Sequence, residues 1–251
     1  MEESGKGSVG SQEGEILINA GIRTDRDRPI LSRSMIRNTG SGSLHHTSMN
    51  LYSYIVADDT GFSPNPFWGY CTLACCKPVI RRTAQVGDWI AGLSPKSAGN
   101  RIVFAMQVNE ILSYADYYRD ERFAAKIPRF NEGKVVFKCG DNIYEPLPNG
   151  DFRQLQSMHS KDKGPEEDLG TKKHDLRGAN TLIATTFHYF GSNGPELPRD
   201  LHELKVGRGH KKFPREVAMK FQSFIVSFPA GICSPPGKWP KDDNSWRPGQ
   251  E

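Results

Sequence analysis

The chain has 251 residues, with 33 Lys and Arg against 29 Asp and Glu, a formal net charge of +4. This length allows one large domain or two small ones, and the small positive excess permits an anionic partner but excludes a histone-like binder that relies on charge alone. Only 36% of the residues are hydrophobic, and 25 Gly and 17 Pro interrupt the chain, which excludes coiled coils and long-helix bundles.

The N-terminal region has the composition of a disordered segment. Residues 1–48 contain one short apolar run, Ile16-Leu17-Ile18, and no aromatic side chain. Such a segment buries too little apolar surface to offset the entropy lost on ordering. We therefore expect a disordered extension, and a translation start at Met49 is the alternative interpretation.

The cellular location is predicted from what the sequence lacks. No apolar run reaches the roughly 18–20 residues that a membrane span needs, and the N-terminus MEESGKGSVGSQEGE has no basic region followed by an apolar stretch. The odd number of cysteines, 5, is typical of reduced thiols. We expect a cytoplasmic protein that does not contact a membrane.

Strand and turn patterns begin after this extension. The run LYSYIV (51–56) predicts a half-buried strand, and the turn residues of 58–67 predict a loop. Residues 71–82, CTLACCKPVIRR, begin as a short helix that Pro78 breaks. Further strands are expected at 86–92 and 101–108.

The second half of the chain has weaker patterns. A helix is predicted over 114–126, ended by Pro128, and a closing helix over 214–226 with Val217, Phe221, Phe224 and Ile225 on one face. The remaining predictions are short strands at 135–138 and 142–144, a polar mobile insertion at 157–179, a strand at 181–190 and an irregular tail at 230–251. Scattered strands with two or three short helices favour an α+β domain around a curved mixed sheet or a small β-barrel.

Familiar catalytic and cofactor motifs are missing. The sequence has no phosphate-binding loop, no dinucleotide fingerprint and no zinc-deaminase signature. Cys71, Cys75 and Cys76 lack the second paired module of structural zinc sites, so we interpret them as buried thiols, with a reactive thiol as the alternative. We predict no metal and no cofactor.

Aromatic and basic residues are interleaved in one region. Aromatic faces beside cations suit the stacking of a base and the binding of its phosphate. The region contains Tyr52, Tyr54, Phe62, Phe67, Trp68, Tyr70 and Trp89, with Lys77, Arg81 and Arg82 among them.

Several blocks carry a family resemblance. The stretch MNLYSYIVADDTGFSPNPFWGYCTLACCKPVIRRTAQVGDWIAGL, with YYRDERFAAKIP, CGDNIYEP and TLIATTFHYFGSNGPELP further on, resembles the nucleotide modification associated domain 2 family, over residues 49–229. The resemblance implies an association with systems that make or handle modified bases.

The strand order is also similar to EVE and PUA-like barrels, which implies a pocket for a flipped or modified base. By that similarity, and with Arg81 as a further hydrogen-bond donor, the ligand-binding residues are Tyr52, Asn65, Pro66, Trp68, Arg81, Trp89 and His188. A shared fold does not determine function.

Two functions follow as hypotheses, and a ligand-free interaction scaffold is a third. The first is a module that binds a modified base or nucleotide, in nucleic acid or free. The second is an enzyme acting on such a ligand through Cys71 or Asp58/Asp59 with His188, which requires the two groups to lie within hydrogen-bond reach. Nucleic acid or a nucleotide is the expected partner in both.

Overall fold

The computed structural model describes residues 49–243, which form eleven strands and four α-helices. The strands are β1 (Leu51–Ile55), β2 (Cys71–Leu73), β3 (Trp89–Leu93), β4 (Ile102–Gln107), β5 (Glu110–Ser113), β6 (Tyr144–Pro146), β7 (Phe152–Gln154), β8 (Asn180–Ala184), β9 (Thr186–Tyr189), β10 (His210–Phe213) and β11 (Gly231–Ile232). The helices are α1 (Pro78–Thr83), α2 (Tyr114–Arg119), α3 (Leu169–Asp175) and α4 (Arg215–Ile225).

The main sheet has six strands in the order β10-β1-β3-β4-β9-β11. β1 pairs parallel with β3 and antiparallel with β10, and β9 pairs parallel with β11. β10 and β11 are the two edges and do not pair with each other, so the sheet is open. The α+β prediction with a mixed sheet is confirmed, and no closed barrel is found in residues 49–243.

A second sheet, β2-β8-β5, and a β6-β7 hairpin lie beside the main one. The predicted strand over 181–190 is divided between the two larger sheets, because β8 ends at Ala184 and β9 begins at Thr186. At the division, the Asn109 side-chain oxygen accepts hydrogen bonds from the backbone N–H (2.7 Å) and hydroxyl (3.0 Å) of Thr185. The prediction of one continuous strand was therefore wrong.

The two faces of the main sheet cover separate apolar clusters. Strand side chains alternate between faces, and β1 is buried on both, not half-buried as predicted. One face packs Tyr52, Met106 and Tyr189 against Cys71 and Leu73 of β2. The other face packs Leu51, Trp89 and Ala105 against α4, through Val217, Phe221 and Ile225.

Local chemistry changed several predicted elements. Pro78 begins α1 instead of breaking a helix, because the first helical position needs no N–H donor. Residues 135–138 form a 3-10 turn instead of a strand. The helix predicted over 114–126 divides at Asp120, which is extended and caps a second, 3-10 segment by accepting from the Arg122 N–H at 3.0 Å.

Two other predictions concern the ends of the chain and the insertion. The closing helix is confirmed as α4. The predicted insertion, residues 157–179, contains α3, and this helix ends at the buried Asp175. The tail, predicted to be irregular, contains β11, which pairs with β9. The predicted extension, 1–48, and the end of the tail lie outside the described residues. None of the helices in residues 49–243 has the length and apolarity of a membrane span.

Candidate functional site

A cleft of about 890 Å³ opens beside β1. Tyr54 and Val56 in its wall belong to the apolar cluster on the face of the main sheet opposite α4. Its wall is built from the end of β1 and the following loop, the start of α1, residues 158–177 and the turn before β10. Its volume lies within the range of small-molecule sites, roughly 300–1,000 Å³. We refer to it as the cleft.

The lining of the cleft is strongly basic. Five Lys and Arg side chains face one carboxylate, Asp58, and Asp58 forms an ion pair with Lys238 at the rim. Three histidines, His159, His174 and His210, add further polar groups. The other basic residues are Lys77, Arg82, Lys163 and Arg177. A concave surface with this excess attracts anions.

Aromatic and aliphatic side chains form the rest of the wall. The buried Tyr54 ring lies under Lys77, whose Nζ is 4.7 Å from the ring centroid. The Phe62 ring lies 4.8 Å from the ring of His159. The Tyr54 hydroxyl is buried and has no hydrogen-bond partner in the part of the chain that the structure describes.

Three chemically active side chains meet in a line at the cleft. The Cys76 sulfur lies 3.4 Å from Nε2 of His159, and Nδ1 of the same ring lies 3.0 Å from Oδ2 of Asp175. Cys76 and His159 line the cleft, whereas Asp175 is fully buried behind them. A thiol, an imidazole and a carboxylate in this order are the components of a nucleophilic triad.

Asp175 is held by more than the imidazole. Its carboxylate accepts the Cys76 backbone N–H at 2.7 Å and the Tyr144 hydroxyl at 2.9 Å, and Arg81 Nη2 lies 3.6 Å away. Burial would raise the pKa of Asp175, but the hydrogen bond and charge of His159, with Arg81 and Tyr144, hold it below its ordinary value. Asp175 is therefore ionised at neutral pH.

The charge state of His159 follows from the same contacts. Burial opposes its protonation, yet the contacts of the ring with Asp175 and Cys76 outweigh burial and raise the His159 pKa to about 10. His159 is thus protonated at neutral pH, with both ring nitrogens engaged.

Arg81 fastens the backbone around the triad. Its Nε donates to the Cys76 carbonyl at 2.7 Å and its Nη2 to the Asp175 carbonyl at 2.8 Å. Nη1 donates to the carbonyls of Gly178 and Asn180. One buried guanidinium therefore joins the turn that carries Cys76 to the end of α3.

The turn between β2 and α1 has an uncommon backbone conformation. Cys76 and Lys77 have φ angles of 60° and 41°, in the left-handed region that residues with a Cβ rarely adopt. Two such residues in succession are costly unless other contacts hold them. Here the Asp175 and Arg81 hydrogen bonds hold the turn so that Cys76 faces the cleft.

A metal site is the other chemistry these residues suggest. Ligand atoms of Cys75, His159 and Asp175 lie within 4.8 Å of one another. However, the Cys75 thiol is 3.6 Å from the Asp141 carbonyl, and burial raises its pKa well above the ordinary value, whereas metal binding requires a thiolate. This set, which contains Cys75 in place of Cys76, therefore fits a metal ion poorly, and the absence of a metal stays a prediction.

Residues 48–243 match the model of one protein family, described as nucleotide modification associated domain 2. The chain belongs to this family. The resemblance found in the sequence is thus confirmed, and membership associates the chain with the modification of nucleic acids. No curated protein and no solved structure matches the chain.

None of the seven residues predicted to bind the ligand lines the cleft. Trp89 is fully buried against Phe221 on the opposite face of the sheet, and Tyr52 is buried with its hydroxyl directed at the Thr83 carbonyl. His188 is buried too, and its Nδ1 lies 2.9 Å from the Pro229 carbonyl.

The remaining four lie outside the wall of the cleft as well, and Pro66 is buried. Asn65 is buried and donates to the Gly61 and Cys139 carbonyls. Trp68 is half-buried beside Phe67. Arg81 touches the triad from behind. A role of these seven residues in ligand binding stays a prediction, and the proposals below rest on the residues of the cleft instead.

The pairs predicted for catalysis are also apart. Cys71 contacts Met106 on one face of the main sheet, whereas His188 pairs in register with Ala105 and so points to the other face. Asp58 binds Lys238, and Asp59 accepts from the Tyr189 hydroxyl.

Of the three residues of the triad, Cys76 was a candidate in the sequence, whereas His159 and Asp175 were not. Cys76 was interpreted as a buried thiol, but it is half-buried at the cleft. His159 and Asp175 belong to the segment predicted to be a polar insertion. A histidine and an aspartate in a segment without periodicity were the available signal, and they did not indicate a partner 83 residues away.

Proposed function

We propose that the cleft binds a nucleotide, free or within a nucleic acid, and that it accepts a modified base. The observation that carries the proposal is the basic lining, with five Lys and Arg side chains against one carboxylate that is already paired. Family membership supports the same class of ligand.

The phosphate is assigned to the side of the cleft that carries Arg82 and Arg177. Arg82 Nη1 donates to the Arg177 backbone carbonyl at 3.1 Å, so the two residues are neighbours in the wall of the cleft. Both are exposed, and planar guanidinium groups form paired hydrogen bonds with phosphate oxygens.

The base is assigned to the aromatic side of the cleft. Tyr54 and Phe62 offer ring surface there, and stacking on a ring contributes about 1–3 kcal/mol per base. The Tyr54 hydroxyl, which has no hydrogen-bond partner among residues 49–243, gives a ligand in the cleft a polar group to pair with. Space for a substituent on the base is available within about 890 Å³.

The proposal is tested by titrating the full chain into labelled single-stranded oligonucleotides, with and without a modified pyrimidine, and by calorimetry with nucleoside monophosphates. Arg82→Gln and Arg177→Gln are the test variants. Each should weaken binding about tenfold or more, because a hydrogen bond to a charged group contributes about 1.5–3 kcal/mol. The slope of the logarithm of affinity against the logarithm of salt concentration should also decrease by about one, because one fewer counterion is released on binding.

Arg119→Gln is the matched control, because Arg119 is exposed on α2 and does not line the cleft. It removes the same charge from the molecule and should leave the affinity within about twofold, since salt screens an exposed charge that does not contact the ligand. Equal weakening by Arg119→Gln and Arg177→Gln would show diffuse attraction, and binding of none of these probes would overturn the proposal.

A further inference from the structure

We propose that Cys76 is the nucleophile of a hydrolytic site in which His159 transfers the proton and Asp175 positions His159. The reaction is acyl transfer to water from an amide or ester carbon. That the acyl group is carried by a phosphorylated compound rests on the nucleotide-binding function proposed above. The nucleophile itself rests on the geometry of the triad.

The contacts define one role for each group. The Cys76 sulfur is 3.4 Å from Nε2, and the Asp175 carboxylate is 3.0 Å from Nδ1, so the imidazole cannot turn without losing a partner. The proton on Nε2 therefore lies next to the sulfur. This is the position from which a histidine can donate a proton to a leaving group. Asp175, fixed by Tyr144 and the Cys76 N–H, is a positioning residue.

The strand-turn-helix around Cys76 is the second observation. Nucleophiles of hydrolases are often carried on a sharp, strained turn between a strand and a helix, which exposes the reactive atom. Cys76 occupies such a turn between β2 and α1 with φ of 60°. Strain of this kind is found where function requires it.

The adjacent cysteine shows what the turn achieves. Cys75 is fully buried, contacts the Asp141 carbonyl and has a pKa raised well above its ordinary value by burial. Cys76, one residue later, is half-buried and lines the cleft with His159. The left-handed turn at Cys76 thus directs the Cys76 thiol to the cleft, whereas the Cys75 thiol stays buried.

The reaction balances with water as the only co-substrate. The Cys76 sulfur attacks the acyl carbon, the S–C bond forms, and the C–N or C–O bond breaks as His159 gives its Nε2 proton to the leaving amine or alcohol. Water then attacks the thioester and gives a proton to His159. The new C–O bond forms, the C–S bond breaks, and the Cys76 thiolate is restored. Lys77 and Lys163 make the lining positive, which favours the anionic intermediates.

The first test compares thiols within the unmodified full chain. Iodoacetamide forms an S–C bond as iodide leaves, and peptide mass spectrometry locates it. Cys233 is the internal control, because it is exposed, has a pKa raised by burial, and its sulfur contacts the backbone carbonyls of Pro229 and Gly231. At neutral pH we expect Cys76 to react about ten times faster than Cys233, and His159→Ala to remove most of that advantage.

The second test uses p-nitrophenyl acetate with the full chain and with Cys76→Ala, His159→Ala and the control Cys233→Ala. We expect a burst of about one p-nitrophenolate per chain and an acetyl group on Cys76. Cys76→Ala should lose the burst and Cys233→Ala should keep it. Thermal melts of each variant establish that loss of the burst is not loss of folding.

Three results would overturn the proposal. These are alkylation of Cys233 before Cys76, an unchanged burst in Cys76→Ala, and Cys76-dependent turnover of p-nitrophenyl phosphate in place of the acetate. p-Nitrophenyl acetate carries no phosphate, so acetylation does not depend on nucleotide binding. An acetylated Cys76 in a protein that binds no nucleotide would reject only the proposed function, and nucleotide binding without acetylation would reject only this inference.

Discussion

At the scale of single residues, His159 links the triad to the pH dependence of folding. Its contacts raise its pKa from 6.5 to about 10, so the folded protein holds this proton more tightly than the unfolded chain. The stability it contributes is complete below about pH 6.5 and is lost as the pH rises through about 10. We expect the free energy of unfolding from urea titrations to fall across this window, and His159→Gln to remove part of the fall.

His210 provides the control for this experiment. Burial and the charge of Lys77 lower its pKa, so its titration ends below the window in which His159 loses its proton. His210→Gln should therefore keep the decrease between pH 6.5 and 10. The same slope in the wild type and in His159→Gln would contradict the assigned charge of His159.

The residues of the triad could be predicted only in part. A group of three cysteines marked the turn in the sequence, but their spacing could not show which thiol faces outward. That depends on the left-handed φ of Cys76 and Lys77. His159 and Asp175 are only 16 residues apart, yet His159 lies in an irregular stretch and Asp175 at the end of α3, and both reach Cys76 through tertiary folding. The periodicity of apolar residues predicts which face of a helix or strand is buried, but it does not predict contacts between distant segments.

At the scale of elements, α4 and the main sheet form one packed unit. Trp89 of β3 is 0% exposed, and its ring lies 6.0 Å from that of Phe221. Trp89→Ala should therefore lower the free energy of unfolding by about 3–5 kcal/mol, as for other large core side chains. Denaturant titrations measure this cost. The nucleotide affinity of the folded fraction should be unchanged, because the cleft lies on the other side of the sheet.

Two substitutions accompany Trp89→Ala. Trp89→Phe keeps a ring and removes an indole N–H that has no acceptor among residues 49–243, so it should cost much less. Met219→Ala changes the outer face of α4, where Met219 is 49% exposed, and should lie within about 0.5 kcal/mol of wild type. A stable Trp89→Ala protein with weakened nucleotide binding would instead place Trp89 in the ligand site.

Elements with a strong local pattern were predicted well, and those decided by distant partners were not. The apolar face of α4 and the strand around Phe104 follow from side-chain spacing alone. The division between β8 and β9 depends on the Asn109 side chain, which is 76 residues away from Thr185. Residues 135–138 have the β-branched and aromatic composition of a strand but form a 3-10 turn, because composition is a weak guide where tertiary packing decides.

At the scale of the whole molecule, the open sheet differs from the expected barrel. Short strands separated by loops are common to both architectures. The difference lies in which edge strands meet, and here β10 pairs with β1 and β11 with β9. The composition does not predict the charge distribution either. The net charge is only +4, yet five basic side chains and one acid line the cleft.

The described domain should not need residues 1–48 for its stability. Residues 1–48 lie outside the described part of the chain, and their sequence lacks aromatic side chains. The first described residues are already anchored, because the backbone N–H of Asn50 donates to Asp88 at 2.7 Å and its carbonyl accepts from Trp89 at 2.8 Å. We therefore expect residues 49–251 to unfold at the same temperature as the full chain.

The removed segment also carries 6 basic and 6 acidic side chains, so its removal leaves the net charge at +4. Affinity for an oligonucleotide should then be unchanged as well, because neither the cleft nor the long-range field has lost charge. Scanning calorimetry measures the first expectation and titration the second. A melting temperature lower by more than a few degrees would mean that residues 1–48 pack on the domain, since about 1 kcal/mol shifts the midpoint by roughly 2–4 °C at this size.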